Sequence, residues 1–363
     1  MSKRLWVGLD VGVHRTALCV LNASGETVHE TELQTTIENI DAVLRPMRRS
    51  NIAVIAMEAG STTTYLARGL DRLKYNVAVF DCRQAATYLK IMQNKTDRND
   101  ARSIAEIGRS GRGVVSEVTL KSVECQRIRS MLATRRQMIR MKVATEAALG
   151  AQFHLYGGKL SRNASASILR RNATLELSRL YREQKIDLRP EVEPVLSICE
   201  SLRTYVNHLD RKIAEMVGDI EVCKRFMEIP GVGPISALSF YSAICDPHRF
   251  RKSIDVGPYL GLVPRVRQSG TTVARSRISK MGSALTRAHL TTAAMILLRS
   301  TTKDSGIKRW GSQVSERRGS ARAKVAVARK LSIVMLAMWK NGTSFVPFGD
   351  VPVPASASRQ PAQ

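Results

Sequence analysis

The sequence predicts an α/β N-terminal domain on a mixed sheet, a helical middle, and a mainly α C-terminal domain. Three observations carry this. Short β-rich runs near the N-terminus are spaced by tight turns and then alternate with helical patterns. From Leu120 to about Phe153 the pattern becomes one long basic helix. Beyond about Asp219 helical runs punctuated by Gly and Pro dominate. With 363 residues the chain is long enough for several cores. The boundaries fall at residues 1–115, 116–218 and 219–342, with a Pro/Ser/Ala-rich tail at 343–363 expected to be disordered.

Taken in order, residues 5–11 (LWVGLDV) and 16–21 (TALCVL) are strands joined by a turn at residues 12–15. A second turn at residues 22–25 leads to a strand over 27–33. A helix over 37–47, a strand over 52–57, a helix over 62–73 and a strand over 76–80 follow, and then a helix from about Thr96 to Arg109. The order βββαβαβα places helices on the faces of a mixed sheet. In the middle, residues 121–142 hold seven Lys/Arg and one acid, Glu124. A weakly patterned stretch, YGGKLSRNASASI at 156–168, breaks this helix. Helical pattern resumes at 174–184 and 191–217, with Pro190 and Pro194 marking the last start. These segments suit an antiparallel pair or an oligomerising coil.

Composition narrows the function. Lys plus Arg number 57 against 31 acids, a formal charge of +26, which implies a polyanionic partner and points to nucleic acid. Aromatic residues are 5%, which argues against a base-stacking platform and for phosphate contact. The six cysteines show no CxxC spacing and read as free thiols, so a zinc or disulfide framework is not expected. MSKRLWVGLDVG runs directly into a strand rather than a signal peptide, and no apolar run reaches membrane-spanning length. A cytoplasmic protein with no membrane partner is the expectation.

The acids that matter are few. Asp10 closes the first strand in VGLDVG, and Glu58 closes the fourth in IAVIAMEAG. Asp97 and Asp100 in NKTDRNDARS are an i,i+3 pair at a helix start, on one helix face. Each has an ordinary reading as a cap or ion pair. If the first and fourth strands are neighbours, however, all four carboxylates gather at one sheet edge. They would repel unless divalent metal sat among them. Such a set suits two Mg²⁺ ions roughly 4 Å apart at a phosphodiester.

LDVG, MEAG and KTDRNDA, in this order, resemble the N-terminal domain of DEDD-type insertion-sequence transposases, a family related to the Piv-type DNA invertases. The resemblance implies a RuvC-like, ribonuclease-H-like fold. It also implies a metal tetrad at Asp10, Glu58, Asp97 and Asp100, holding Mg²⁺ or Mn²⁺.

Further on, MEIPGVGPISALSFYSAI at 227–244 reads as helix, Gly231-Val232-Gly233 turn, helix, with Pro234 at the first position of the second helix. Exposed amides at such a turn can cradle a phosphate, so the element resembles a helix-hairpin-helix; an ordinary helix corner has the same pattern. From Arg249 to Arg287 nine Lys/Arg stand against one acid, Asp255. In YLGLVPRVRQSGTTVARSRISKMGSALTR, Ser269 precedes Gly270 in an expected loop flanked by Arg265, Arg267, Arg275 and Arg277. The arginines supply cations for a phosphate, while no histidine or lysine base lies nearby in sequence. GLVP, SG and ISKMG resemble the second half of the same family, where they surround a catalytic serine, which the match places at Ser269. Lys280 and Arg287 join the phosphate contacts by the same resemblance. A glycine often found before Arg-Ile in this motif is Ser276 here, so Ser276, Ser279 and Ser283 are nearby competitors. Ser279 is expected to cap the helix that follows. Arg317, Arg318, Arg322, Lys324, Arg329 and Lys330 crowd a last helix that continues as an apolar run.

The resemblance covers roughly residues 5–110 and 225–340. It implies a DNA transposase or recombinase that forms a phosphoserine link to DNA with metal assistance, works as a dimer or tetramer, and is guided by a bridge RNA. Two other classes fit the residues alone. A hydrolytic junction resolvase would use the tetrad and water, and a non-catalytic nucleic-acid binder would use its acids only as caps. LDVG also opens actin-like and sugar-kinase ATPases, but no second phosphate loop follows.

Overall fold

The computed structural model describes residues 4–89, 96–111, 115–160, 165–269 and 272–348. The chain divides into two compact units, Met1–Leu120 and Lys121–Gln363.

The first unit opens with a meander of β1 (Leu5–Val11), β2 (Arg15–Leu21) and β3 (Thr27–Gln34). Its second turn is closed by Gly25 at φ +85 and by Asn22, whose Oδ1 accepts the Glu26 amide at 3.0 Å. Helix α1 (Ile37–Leu44), capped by Thr36, leads to β4 (Ile52–Glu58). Helix α2 (Thr63–Arg72), β5 (Val77–Phe80), α3 (Cys82–Leu89) and α4 (Asp97–Ser110) complete the unit. The sheet runs β3-β2-β1-β4-β5, with β1, β2 and β3 antiparallel and β1, β4 and β5 parallel. This is the five-stranded mixed sheet expected of a ribonuclease-H-like domain.

Alternation along the strands sorts the two faces. Val7, Leu9, Leu18, Val20, Ile55 and Met57 pack with Ile40, Leu44, Leu66 and Leu70 of α1 and α2. The opposite face is built largely from small residues under α4: Ala17 and Cys19, with Leu21, meet Ala101 and Ala105, and Ala56 and Ala78 meet Ile104 and Ile107. Helix α3 has no counterpart in the sequence reading. Its signal is Asp81, whose Oδ1 accepts the amides of Arg83 and Gln84 at 3.0 and 3.2 Å, a helix-start cap.

The second unit begins with three long helices, α5 (Val123–His154), α6 (Ala166–Gln184) and α7 (Arg189–Asp219). Helices α5 and α7 lie antiparallel, since Arg135 pairs with Asp210 and Glu146 with Arg203. Of the two arrangements open to the sequence, the antiparallel pair therefore forms within one chain. Helix α6 starts earlier than its apolar pattern suggests because Ser165 caps it, accepting the Ile168 amide. Next come α8 (Glu221–Met227), α9 (Pro234–Ile244), α10 (Val256–Tyr259) and a two-stranded hairpin of β6 (Pro264–Ser269) and β7 (Thr272–Ile278). Helices α11 (Ala284–Leu297), α12 (Gly306–Arg318) and α13 (Ser320–Asn341) close the unit.

Phe226, Phe240, Leu238, Leu290, Leu331 and Met335 lie in the core of this unit. The expected last helix, bearing Arg317 to Lys330, is split at Gly319, whose φ of +83 ends α12 and turns the chain into α13. The expected disordered tail falls largely on residues 349–363, outside the described residues. All six cysteines are free thiols; Cys82 is exposed and Cys245 half-buried, while the rest are buried. Among the described residues no helix is long and apolar enough to cross a membrane.

Candidate active site

Strands β1 and β4 are adjacent and parallel, in register through Leu9 opposite Met57. Asp10 and Glu58 come next, at the same end of neighbouring strands. Both share a sheet face with Gly8 and Ala56, two residues back. That face belongs to α4. A Cβ built at Gly8 would stand 2.1 Å from the Ala101 carbonyl oxygen and 2.3 Å from the Ala105 amide nitrogen. One at Gly108 would meet Ala56 and Val54 at 3.0 and 3.2 Å. Later residues of α4 therefore cover earlier residues of the strands, and the helix runs against them. Its first turn, with Asp97 and Asp100, lies toward the edge where β1 and β4 end.

That turn is fixed locally. The Thr96 hydroxyl accepts the Asn99 amide at 3.2 Å, and the two aspartates sit where the helix dipole favours negative charge. The Glu58 end is held by Thr63, which donates its hydroxyl to the Glu58 carbonyl at 2.6 Å and accepts the Gly60 amide at 3.0 Å. Asp97 is exposed, while Asp10, Glu58 and Asp100 are partly buried, so none carries the cost of a fully desolvated charge. The side chains of Asp97 and Asp100 make no ion pair among the described residues.

A hard divalent cation takes carboxylate oxygens of this kind, and the edge offers four of them. Among the described residues, no three His, Cys, Asp or Glu side chains are gathered closely enough to hold a metal ion. The donors have the right chemistry and share an edge, but they do not close on a common point.

In the second unit, the loop expected around Ser269 is instead the tip of a β-hairpin. Ser269 is the last residue of β6 and pairs with Thr272 of β7; Gly270 lies outside the described residues. The alternation of PRVRQS against TVARSRI is the strand signal that the loop assignment overlooked. Arg267 pairs with Ala274 and Arg275 with Val266, placing both backbones in the ladder. Arg265 and Arg277 are exposed, and Arg265 donates to the Ser279 carbonyl at 3.2 Å.

Lys280 is exposed, with φ +57, beside Gly261, whose carbonyl accepts its amide at 3.2 Å. Arg287 directs one guanidinium nitrogen to the carbonyls of Leu260, Met281 and Gly282, pinning the loop before α11. Ser279 does not cap that helix. Ser283 does, accepting the Thr286 amide at 3.2 Å, and the Ser279 hydroxyl oxygen is buried with no hydrogen-bond partner among the described residues.

The glycine turn between α8 and α9 has two distinct halves. Gly231, at φ +87, is pressed onto α11, where a Cβ would fall 2.7 Å from the Ala293 carbonyl oxygen. Its small size serves helix packing. Gly233 caps α9 and faces open space, so only this end of the turn leaves room for a ligand.

Residues 7–156 match the model of a DEDD transposase domain of IS110 elements, and residues 223–309 match the transposase family IS116/IS110/IS902. The chain is 27% identical over 344 residues to the transposase for insertion sequence element IS1111A of Coxiella burnetii, covering 92% of this chain and 88% of that protein. It is 28% identical over 307 residues to a probable family 20 transposase of Pseudomonas aeruginosa, covering 81% and 86%. With the transposase for insertion sequence element IS1328 of Yersinia enterocolitica it shares 24% over 301 residues, covering 80% and 85%. Two transposase matches in chain order, and relatives aligned along most of both lengths, identify the chain as an insertion-sequence DNA transposase of the IS110/IS116 family.

Proposed function

We propose that this transposase cuts and rejoins DNA through a transient phosphoserine at Ser269, assisted by divalent metal at Asp10, Glu58, Asp97 and Asp100. The observation that carries the reading is the shared edge: Asp10 and Glu58 lie side by side at the C-terminal ends of neighbouring parallel strands, and the Asp97/Asp100 turn lies toward the same end. Mg²⁺ or Mn²⁺ bound there would supply Lewis-acid stabilisation of charge on phosphate oxygens. The chain's own residues do the rest. Ser269 Oγ bonds to phosphorus and loses its proton to solvent, while the P–O bond to the departing strand breaks and that oxygen takes up a proton. Attack by a second strand's hydroxyl reverses these steps and frees the serine. Exposed Arg265 and Arg277 flank the hairpin as cations for the phosphate.

The carboxylates belong to the first unit and Ser269 to the second. Activity therefore requires the two to meet, and we assign that meeting to a homodimer or tetramer in which one protomer's acids serve another's serine. Guidance by a bridge RNA is part of the same reading, supported by family resemblance and by a charge of +26 that suits both RNA and DNA. Gly233 and Lys280 serve as sequence-independent phosphate contacts.

The test is covalent trapping. Purified protein with its co-purified RNA is incubated with end-labelled element-end DNA and Mg²⁺, and label is sought on the denatured protein. Label on wild type that disappears in both Ser269→Ala and Asp10→Ala supports the reading. Cleaved DNA without label, still produced by Ser269→Ala, would make the protein a hydrolytic nuclease.

A further inference from the structure

The basic face of α5 takes no part in the site above, yet it lines a cleft of about 430 Å³ within the second unit. Arg129, Arg136 and Arg140 stand along one side, at helical spacings that keep them on one face. Across from them lie Ser239 and Ser242 of α9 and Ser283 at the start of α11. Among the described residues no acid and no aromatic side chain lines the cleft.

Along the α5–α7 layer of this unit several buried or half-buried arginines are neutralised. Arg135 pairs with Asp210, Arg203 with Glu146, Arg170 with Glu193 and Glu200, and Arg179 with Glu176 and Glu183. The three cleft arginines have no ion pair among the described residues, although Arg129 and Arg136 are partly buried. Cations held together without an acid are costly unless an anion joins them. Of the three, Arg136 also acts on the neighbouring helix. The His289 imidazole is pulled down to about 4, by burial first and then by Arg135 and Arg136.

The hydroxyl side is preorganised as well. Ser283 Oγ accepts both the Thr286 amide, at 3.2 Å, and the Thr286 hydroxyl, at 2.9 Å, so its own hydrogen remains to be donated elsewhere. Ser239 donates to Thr286 Oγ1 at 3.3 Å, which ties the wall into one chain of hydroxyls. Without an aromatic surface the cleft cannot stack a base, so recognition would fall on the sugar-phosphate backbone.

We propose that this cleft seats a backbone phosphodiester of the nucleic acid on which the transposase acts, held by Arg129, Arg136, Arg140 and the Ser283 hydroxyl. The proposal rests on the chain's being a nucleic-acid enzyme, but not on Ser269 or the carboxylates. It is tested on the full chain by fluorescence anisotropy with a mixed-sequence DNA duplex and with a mixed-sequence RNA hairpin, across a salt series. The pair Arg136→Gln/Arg140→Gln is compared with Arg127→Gln/Lys142→Gln, which removes equal charge from the same helix outside the cleft.

The cleft pair is expected to weaken binding about tenfold or more on DNA or on RNA, and to lower the salt slope by roughly 2, with little change in the control pair. The polymer affected identifies the ligand. Equal weakening by both pairs, or wild-type affinity and slope for the cleft pair on both polymers, would overturn the proposal. Wild-type protein gives an independent check by arginine-selective dicarbonyl footprinting. Bound nucleic acid is expected to protect Arg129, Arg136 and Arg140, and their unprotected reaction would overturn the proposal whether or not the variants fold. Covalent trapping reads the chemistry separately, so failure of the cleft leaves the cleavage mechanism untouched.

Discussion

Gly8 gives the sharpest handle on the carboxylate edge, because α4 rests directly on its backbone. In Gly8→Ala the new Cβ would lie 2.1 Å from the Ala101 carbonyl oxygen and 2.8 Å from the Ala105 methyl. Ordinary contact begins near 3.4 Å, so α4 has to withdraw from β1 by about 1.3 Å. Neither obstacle is the far end of a flexible side chain. The withdrawal loosens the layer of Ala17, Cys19, Leu21, Ala101 and Ala105, at an expected cost of about 1–3 kcal/mol. It also carries Asp97 and Asp100 away from Asp10 and Glu58, and a displacement near 1 Å in a catalytic constellation costs roughly a hundredfold in rate.

Native-state hydrogen exchange over α4 and β1 reads the first effect, and cleavage of labelled element-end DNA reads the second. The matched control is Gly150→Ala in α5, where a Cβ meets nothing within 4 Å and the change is expected to stabilise by about 0.5–1 kcal/mol. Wild-type protection of α4 together with wild-type cleavage in Gly8→Ala would refute the reasoning.

Three further outcomes follow from the same geometry. Thr96→Ala removes the cap of α4 and should cost about 1 kcal/mol, seen as faster exchange of the amides in its first turn. Arg203 and Glu146 pair at 2.8 Å with both side chains largely buried, so Arg203→Leu should cost about 3–5 kcal/mol in urea unfolding, while adding Glu146→Leu should restore much of it. His289 is held neutral, near 4 against an ordinary 6.5, so the unfolded chain binds its proton first. The stability this contributes is complete above about pH 6.5 and is lost as pH falls toward 4, a change on the order of 3 kcal/mol. His289→Gln should flatten that part of the pH dependence of the urea midpoint.

The first unit was the more legible in sequence because its signals are local and periodic. The strands over 5–11, 16–21 and 52–57 are short runs rich in apolar residues, and turns such as Asn22–Gly25 carry their own side-chain chemistry. The sheet edge bearing Asp10 and Glu58 could be anticipated because parallel neighbours end together. Helix α3 was harder to read, since Asp81 looks like any loop acid until its oxygen is seen to accept two amides. At 264–278 arginines dominate the strands, and charge masked the alternation that forms the hairpin.

The roles of Gly231 and Arg287 lay beyond sequence reasoning, which sees a small residue and a cation but not the helix pressed against the first or the carbonyls around the second. The cleft of Arg129, Arg136 and Arg140 shows the same limit. Seven basic residues over 121–142 can be counted in the sequence, six of them on α5, but which of these lack an acid depends on α7, many residues away.

The central claim is that Asp10, Glu58, Asp97 and Asp100 hold a divalent ion, and Mn²⁺ binding tests it without any need for turnover. Full-length protein is titrated into Mn²⁺ while the electron-paramagnetic-resonance signal of the free ion is followed, alongside Asp10→Asn/Asp100→Asn with its helicity checked by circular dichroism. The expected result is that wild type depletes the free-ion signal and the folded double variant does not. Equal depletion by the two proteins would place the metal elsewhere and return these four acids to the role of caps.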